Sequence, residues 1–312
     1  MNSLDDAATA LQRGQLVAFP TETVYGLGAD ASNEAAVARI YEVKQRPANH
    51  PLIIHISSSE QIDHWAENIP AYARSLANAF WPGPMTLILQ RSAAAKDFVT
   101  GGQETVGLRV PNHPVALELL KKFEAIGGRG VAAPSANLFG KVSPTNAAAV
   151  SSELSDRLQP GDLVLEGGAS MVGIESTIID CTKENPSILR PGSITAEMVE
   201  QSTGIIVVEP DDKKVRVSGS HKQHYSPQAK VVIDGVAKPG EALIAMSEIK
   251  TPSDVVRLAA PKNLEEYARV LYAALREADK QGIATINIAM PEGGGLAVAI
   301  RDRITRAAAV KE

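Results

Sequence analysis

Hydroxyls, glycines and isolated cations recur at the ends of apolar runs in this chain. Such groups hold small anionic or zwitterionic ligands. The stretch Phe19-Pro20-Thr21-Glu22-Thr23-Val24-Tyr25-Gly26-Leu27-Gly28 sets Thr and Tyr hydroxyls beside glycines just after one apolar run. Hydroxyls donate and accept hydrogen bonds, and glycine lets a backbone approach a ligand closely. An ordinary strand-to-loop turn uses the same residues, so the stretch alone fits either role. Lys44-Gln45-Arg46-Pro47-Ala48-Asn49-His50-Pro51-Leu52 places cations where a helix should end. The helix dipole favours them there. A phosphate clamp would use the same pair, Lys as a point charge and Arg as a two-pronged donor. Arg109 stands inside an apolar run, Gly107-Leu108-Arg109-Val110-Pro111. Burial there demands an anion, which either a protein carboxylate or a substrate can supply. Ser176 and Arg190 are likewise polar members of apolar stretches, and His55 alternates with apolar neighbours as structural histidines commonly do.

Ala133-Pro134-Ser135-Ala136-Asn137 runs on to Gly140-Lys141-Val142-Ser143-Pro144-Thr145. This is not a phosphate loop of the Walker type, which needs Gly where Ser135 stands and Ser or Thr where Val142 stands. It remains a strand-end loop of small polar groups, the place where open α/β sheets bind ligands. A helix-capping turn would have the same composition. No Rossmann glycine pattern, H-E-x-x-H, Cys-x-x-Cys or G-x-S-x-G occurs, so dinucleotide, zinc and α/β-hydrolase readings have little support.

These stretches need elements to position them. Ser3, with Asp6 after it, predicts a capped first helix ending at Gly14. Asn33 predicts the cap of a second helix, which must stop before Pro47. Strands are predicted over residues 15–19, 52–56, 85–90, 105–110, 130–133, 162–165 and 174–180, and helices over 59–67, 70–80, 114–126 and 145–154. This is an α/β pattern whose sheet should be mixed. Residues 209–226 are polar and aperiodic, which predicts a hinge or a functional loop. Beyond them, strands at 230–234, 242–246, 255–258 and 285–289 and helices at 263–281 and 296–309 predict a second, smaller α/β domain. The expected division is 1–204, a linker at 205–228, and 229–312.

The 312 residues are 44% apolar but only 4% aromatic. An aliphatic core of that kind suits helices covering a sheet. A net charge of −5 without a basic run argues against a nucleic-acid backbone as the main partner. Cys181, the single cysteine, forms no internal disulfide and no cysteine zinc site by itself. The acidic N-terminus lacks a signal-peptide pattern, and no apolar run approaches the ~20 residues that span a bilayer. A soluble, cytoplasmic protein is the expectation.

In this order the stretches resemble the YrdC-like family, in its two-domain threonylcarbamoyl-AMP synthase form. The matching pieces are residues 20–28, Lys44-x-Arg46 with Pro51-Leu52, Trp81-Pro82-Gly83-Pro84-Met85-Thr86, residues 108–111, residues 134–137, Ser176-Thr177 and residues 189–192. His224-Tyr225-Ser226-Pro227 resembles the family's linker. The resemblance implies a twisted open mixed α/β sheet with a concave cavity for ATP and L-threonine. Lys44, Arg46, His50, Thr105, Ser135, Asn137, Ser143 and Arg190 would face ATP, with His224 or Tyr225 closing over the nucleotide. Thr23, Tyr25, His55, Arg109, Ala133 and Ser176 would face threonine. Lys44 and Arg46 would carry the catalytic charge neutralisation together with Mg2+, which no protein side chain is identified to ligate. The implied reaction joins ATP, L-threonine and bicarbonate into threonylcarbamoyl-AMP, which a downstream transferase uses to modify tRNA. An RNA-binding module of the same fold and a carbamoyltransferase-type relative are the alternatives. The sequence names no general base; His55 qualifies only if it reaches the amine.

Overall fold

The computed structural model describes residues 3–211, 215–219 and 224–309. Of the expected linker, residues 212–214 and 220–223 lie outside the described residues. The predicted caps form. Ser3 Oγ accepts from the Asp6 amide and the Asp6 carboxylate accepts from the Ser3 amide, opening the helix Leu4–Gln12. Asn33 accepts from the Ala36 amide to start the helix Glu34–Lys44, which ends at Gln45 in the left-handed region, φ 53°. That turn separates the two cations: Lys44 stays on the helix and Arg46 leaves it.

The large sheet has nine strands: β1 Val17–Phe19, β2 Gly26–Asp30, β3 Ile53–His55, β4 Met85–Gln90, β5 Thr105–Arg109, β6 Val131–Ala132, β7 Leu163–Val164, β8 Thr177–Asp180 and β9 Ser187–Arg190. Their order is β7-β1-β2-β6-β3-β5-β4-β8-β9. The sheet is mixed as expected: β3 runs parallel to β5 and β4 parallel to β8, whereas β4 and β5 are antiparallel. The sequence predicts β4 to the residue but reads β2 as a glycine turn. The glycines serve close packing there instead. A Cβ at Gly28 would lie 2.6 Å from a Val131 methyl and 2.8 Å from the Phe19 ring. The helix Ala196–Thr203, which the sequence reading leaves out, packs on the helix Ala71–Phe80.

Because strand side chains alternate between faces, one choice of parity decides where the site lies. Ile54, Leu108, Leu87 and Ile179 point into the helix-covered core with Val37, Ile40 and Leu76. Their neighbours Ile53, His55 and Arg109 face the other, concave side. Val217 from the linker packs there on Ile88 and Ile178.

The second unit is a four-stranded parallel sheet, β10 Lys230–Ile233, β11 Ala242–Ile244, β12 Val256–Ala259 and β13 Thr285–Ile288, in the order β10-β13-β11-β12. The helices Leu264–Lys280 and Leu296–Ala308 bury Tyr267, Leu271, Ile300 and Ile304 in its core. That core continues into the first unit through Val24, Val142 and Ile174. Among the described residues, no helix is long and apolar enough to cross a membrane.

Candidate active site

A hollow opens on the concave face. The loop after β1 contributes Thr21, Thr23, Val24 and Tyr25; the strand ends contribute His55, Arg109 and Arg190. Ala133, Pro134 and Ser135 follow β6, and Glu175 and Ser176 precede β8. Arg46, Ser218, Gly219, His224 and Tyr225 complete the wall. The residues expected to face threonine, Thr23, Tyr25, His55, Arg109, Ala133 and Ser176, all line it. Of those expected to face the nucleotide, Arg46, Ser135, Arg190, His224 and Tyr225 do.

The others stand behind or beside it. Lys44 is fully buried and grips backbone: its Nζ donates to the Ser135 carbonyl at 2.5 Å and to the Asn137 carbonyl. Burial, then the Arg46 charge, pushes its pKa well down. Asn137 ties its own loop, its Nδ2 donating to the Leu138 and Lys141 carbonyls at 2.7 and 2.9 Å. Ser143 Oγ donates to Glu175 at 2.6 Å. Thr105 lines a small adjoining slot with Pro51, Ile53, Ile178 and Val217. His50 sits edge-on to Phe139, ring centroids 5.2 Å apart.

Arg109 answers the question its sequence position poses with a protein carboxylate. Its Nη2 lies 2.6 Å from Glu22 Oε1, both side chains nearly inaccessible. Its Nη1 donates to Thr23 Oγ1 at 2.9 Å and its Nε to the Gly83 carbonyl at 3.3 Å. A guanidinium still has N–H groups to spare after these bonds. Next to it on the parallel strand, His55 is pushed down to about 3 by burial and the Arg109 charge. It is therefore neutral at physiological pH and a poor proton acceptor.

The cationic part of the wall is held by the linker. Arg46 Nη2 donates to Ser218 Oγ at 3.2 Å and to the Pro51 carbonyl at 2.9 Å. Arg190 Nη1 donates to the Ser218 carbonyl at 3.0 Å, and its Nε and Nη2 to the Ser176 carbonyl. Arg46 Nε, His224 Nδ1 and Tyr225 Oη are buried with no hydrogen-bond partner among the described residues. Buried polar atoms are rarely left so, and these converge on one hollow. Burial also pushes His224 down to about 3 and Tyr225 up to about 12.

Glu175 is the acid on this wall. Burial alone would raise its pKa, but Arg303, Arg190 and Ser143 together hold it at about 2, against an ordinary 4.5. A depressed carboxyl stabilises the fold above its unfolded pKa and loses that contribution as pH falls toward the folded one. Stability of the wild type should therefore fall more steeply than that of Glu175→Gln between pH 4.5 and 2. His55 and His224, neutral when folded, add acid destabilisation to both chains from about pH 6.5 downward. Urea midpoints measured across that range check this; parallel curves would mean that Glu175 is not held ionised.

Residues 9–192 match the family model described as "Telomere recombination", and residues 194–309 match the one described as "Threonylcarbamoyl-AMP synthase, C-terminal domain". The chain belongs to the YrdC-like threonylcarbamoyl-AMP synthase family. It is 40% identical to the threonylcarbamoyl-AMP synthase of Pyrococcus abyssi, the match covering 96% of this chain and 92% of the relative. It is 38% identical to that of Bacillus subtilis, over 97% and 92%. The crystal structure of P. abyssi Sua5 complexed with L-threonine superimposes with a TM-score of 0.88 at 37% identity, covering 98% of this chain and 94% of that one. Within this member of the YrdC-like family, sequence reasoning overlooks Glu22, Glu175, Ser218 and Gly219. Both acids lie inside stretches already singled out, but the cations they pair with, Arg109 and Arg303, are distant in the sequence. Ser218 and Gly219 carried no local signal.

Proposed function

We propose that this chain converts ATP, L-threonine and bicarbonate into threonylcarbamoyl-AMP and pyrophosphate, the activated group for threonylcarbamoyl-adenosine formation in tRNA. The observation that carries the reading is that one hollow is lined both by Arg46, Arg190 and Ser135 and by Thr23, Arg109 and Ser176. The neutral threonine amine adds to carbon dioxide with release of a proton, or to bicarbonate with loss of water, to give an N-carboxylate. This attacks the α-phosphorus, and pyrophosphate leaves. Such a displacement needs chiefly positioning and neutralisation of the phosphates.

Arg46 and Arg190 supply that charge. Phosphate oxygens would replace Ser218 as their partner, since a charge-assisted bond is stronger than one to a hydroxyl. Ser218 thus yields as nucleotide enters, and residues 215–219 and 224–227 act as a lid. Lys44 works indirectly, holding the carbonyls of the loop that presents Ser135. The spare N–H groups of Arg109 take the threonine carboxylate, and Thr23 and Ser176 read its hydroxyl or amine. His55 hydrogen-bonds the substrate and does not remove its proton.

Among the described residues no cluster of three or more His, Cys, Asp or Glu could hold a metal ion, and Glu22 and Glu175 are committed to arginines. The residues do not fit a protein-held Mg2+; any such ion would arrive on the triphosphate, and no step here depends on it. The proposed setting is the cytoplasm, with a tRNA threonylcarbamoyl-transferase consuming the product.

Purified protein given ATP and bicarbonate should release pyrophosphate only when L-threonine is added. L-Serine, lacking one methyl, should react roughly 10- to 200-fold more slowly. Release without any amino acid would overturn the reading.

A further inference from the structure

The second unit reaches the hollow through Tyr272 and Arg303. Tyr272, on Leu264–Lys280, donates its Oη–H to Glu175 Oε2 at 2.9 Å. Arg303, on Leu296–Ala308, donates its Nε–H to the same oxygen at 2.8 Å. Its Nη2 reaches the carbonyls of Glu175 at 3.4 Å and Pro191 at 3.0 Å. The other Glu175 oxygen accepts from Ser143 Oγ at 2.6 Å.

The same two side chains hold Tyr225 of the linker. Tyr272 stacks on it, centroids 5.5 Å apart and planes at 28°, and the Arg303 guanidinium lies 5.3 Å from its ring centre. On the outer side, Arg276 pairs with Glu153 at 2.6 Å and donates to the Val142 carbonyl. The segment carrying Ser143 is thus held from both sides. Docking is close enough to require glycine at 173, where φ is +83° and a Cβ would lie 2.4 Å from the Arg269 Cα.

Stability alone does not account for this arrangement. Arg303 is fully buried, and apolar packing often replaces a buried ion pair at no loss. What the polar version achieves is a fixed place for a carboxylate and an aromatic ring that both line the hollow.

We propose that Arg303 and Tyr272 are positioning residues for the nucleotide part of the site, acting through Glu175 on Ser143 and through Tyr225 on the linker wall. The second domain then supports the wall of the nucleotide site from behind, through Glu175 and Tyr225, and is not an appendage to it. This rests on the nucleotide reading of the hollow given above.

The test titrates full-length wild type, Tyr272→Phe, Arg303→Lys and Gly173→Ala by calorimetry with a non-hydrolysable ATP analogue and, separately, with L-threonine. KM and kcat for ATP are measured alongside. Tyr272→Phe keeps the ring stack and deletes one hydrogen bond. It should weaken analogue binding and raise the KM for ATP roughly five- to tenfold. Arg303→Lys keeps the charge but loses the shared bonds, and should exceed tenfold. Gly173→Ala alters the docking without removing a polar group and should follow the same pattern. L-Threonine affinity should stay within about twofold throughout. If Arg303→Lys fails to fold, the other two variants decide the matter.

Equal losses for both ligands would indicate general loosening and overturn the proposal, as would unchanged analogue binding in Tyr272→Phe. A selective loss of analogue binding, in a protein whose wild type releases no pyrophosphate with threonine, would uphold the positioning role and overturn the proposed reaction. A wild type that binds no analogue would overturn both.

Discussion

Replacing Arg46 by alanine lowers threonine-dependent pyrophosphate release on the order of a hundred- to a thousandfold, yet leaves the folded chain nearly as stable as before. The two halves of this result have one cause. Among the described residues Arg46 has no carboxylate partner; its bonds go to Ser218 and the Pro51 carbonyl. Burial lowers its pKa to about 10, with Arg190 adding to the depression. Lys44 is pushed down in part by the Arg46 charge. Buried cations crowded so closely are a burden on the fold, and such groups mark functional sites. Removing this one costs the contact of its guanidinium with the Phe139 ring, 5.8 Å to the centroid, and the bonds to Ser218 and Pro51, offset by the relief of a buried charge to a net of about 1 kcal/mol, while a developing phosphate charge loses its donor. Steady-state rates and denaturation midpoints on one preparation check both halves. An unchanged rate would remove Arg46 from the site.

Arg109→Ala behaves in the opposite way. It strands the Glu22 carboxylate, whose side chain is almost sealed from solvent. An uncompensated buried charge costs about 3–5 kcal/mol. Thr23 also loses the guanidinium and keeps only Thr21 of the two partners of its hydroxyl, so L-threonine binding should vanish together with stability. The two losses separate in the double variant Arg109→Met with Glu22→Gln. Without a net buried charge its stability should recover to within about 1–2 kcal/mol of wild type, while L-threonine remains unbound. Calorimetry on the double variant decides: threonine binding near the wild-type level would mean that Arg109 holds the fold and not the substrate.

The contrast between these arginines shows what could be read in the sequence. Local signals were legible: the capping box at Ser3, the cap at Asn33, the strand Met85–Gln90, and the hydroxyl-rich loop after β1 all depend on near neighbours. Those motif residues that line the hollow are brought there by strand ends and the loops that follow them, and strand ends are visible as apolar runs meeting Pro or Gly. Arg109 was legible as a buried cation needing an anion, but its partner, Glu22, is not set by any local spacing. Nor is the bond from Arg303 to Glu175, which joins residues 128 positions apart. The linker was illegible for a related reason. Ser218 is held by side chains, through Arg46 and Arg190, and leaves no periodic pattern in its own neighbourhood. Lys44 shows the limit of motif transfer: its place beside Arg46 suggests a shared ligand, whereas the left-handed turn at Gln45 sends one cation to backbone carbonyls and the other to the hollow.

Whether adenylate and amino acid truly meet in that hollow is best decided by following one carbon atom. The protein would be incubated with ATP, L-threonine and 13C-bicarbonate, and the adenylates resolved by mass. The account predicts a new adenylate carrying threonine and one labelled carbon, in amounts equal to the pyrophosphate released. Labelled carbon absent from every adenylate, or an adenylate of threonine without it, would contradict the account.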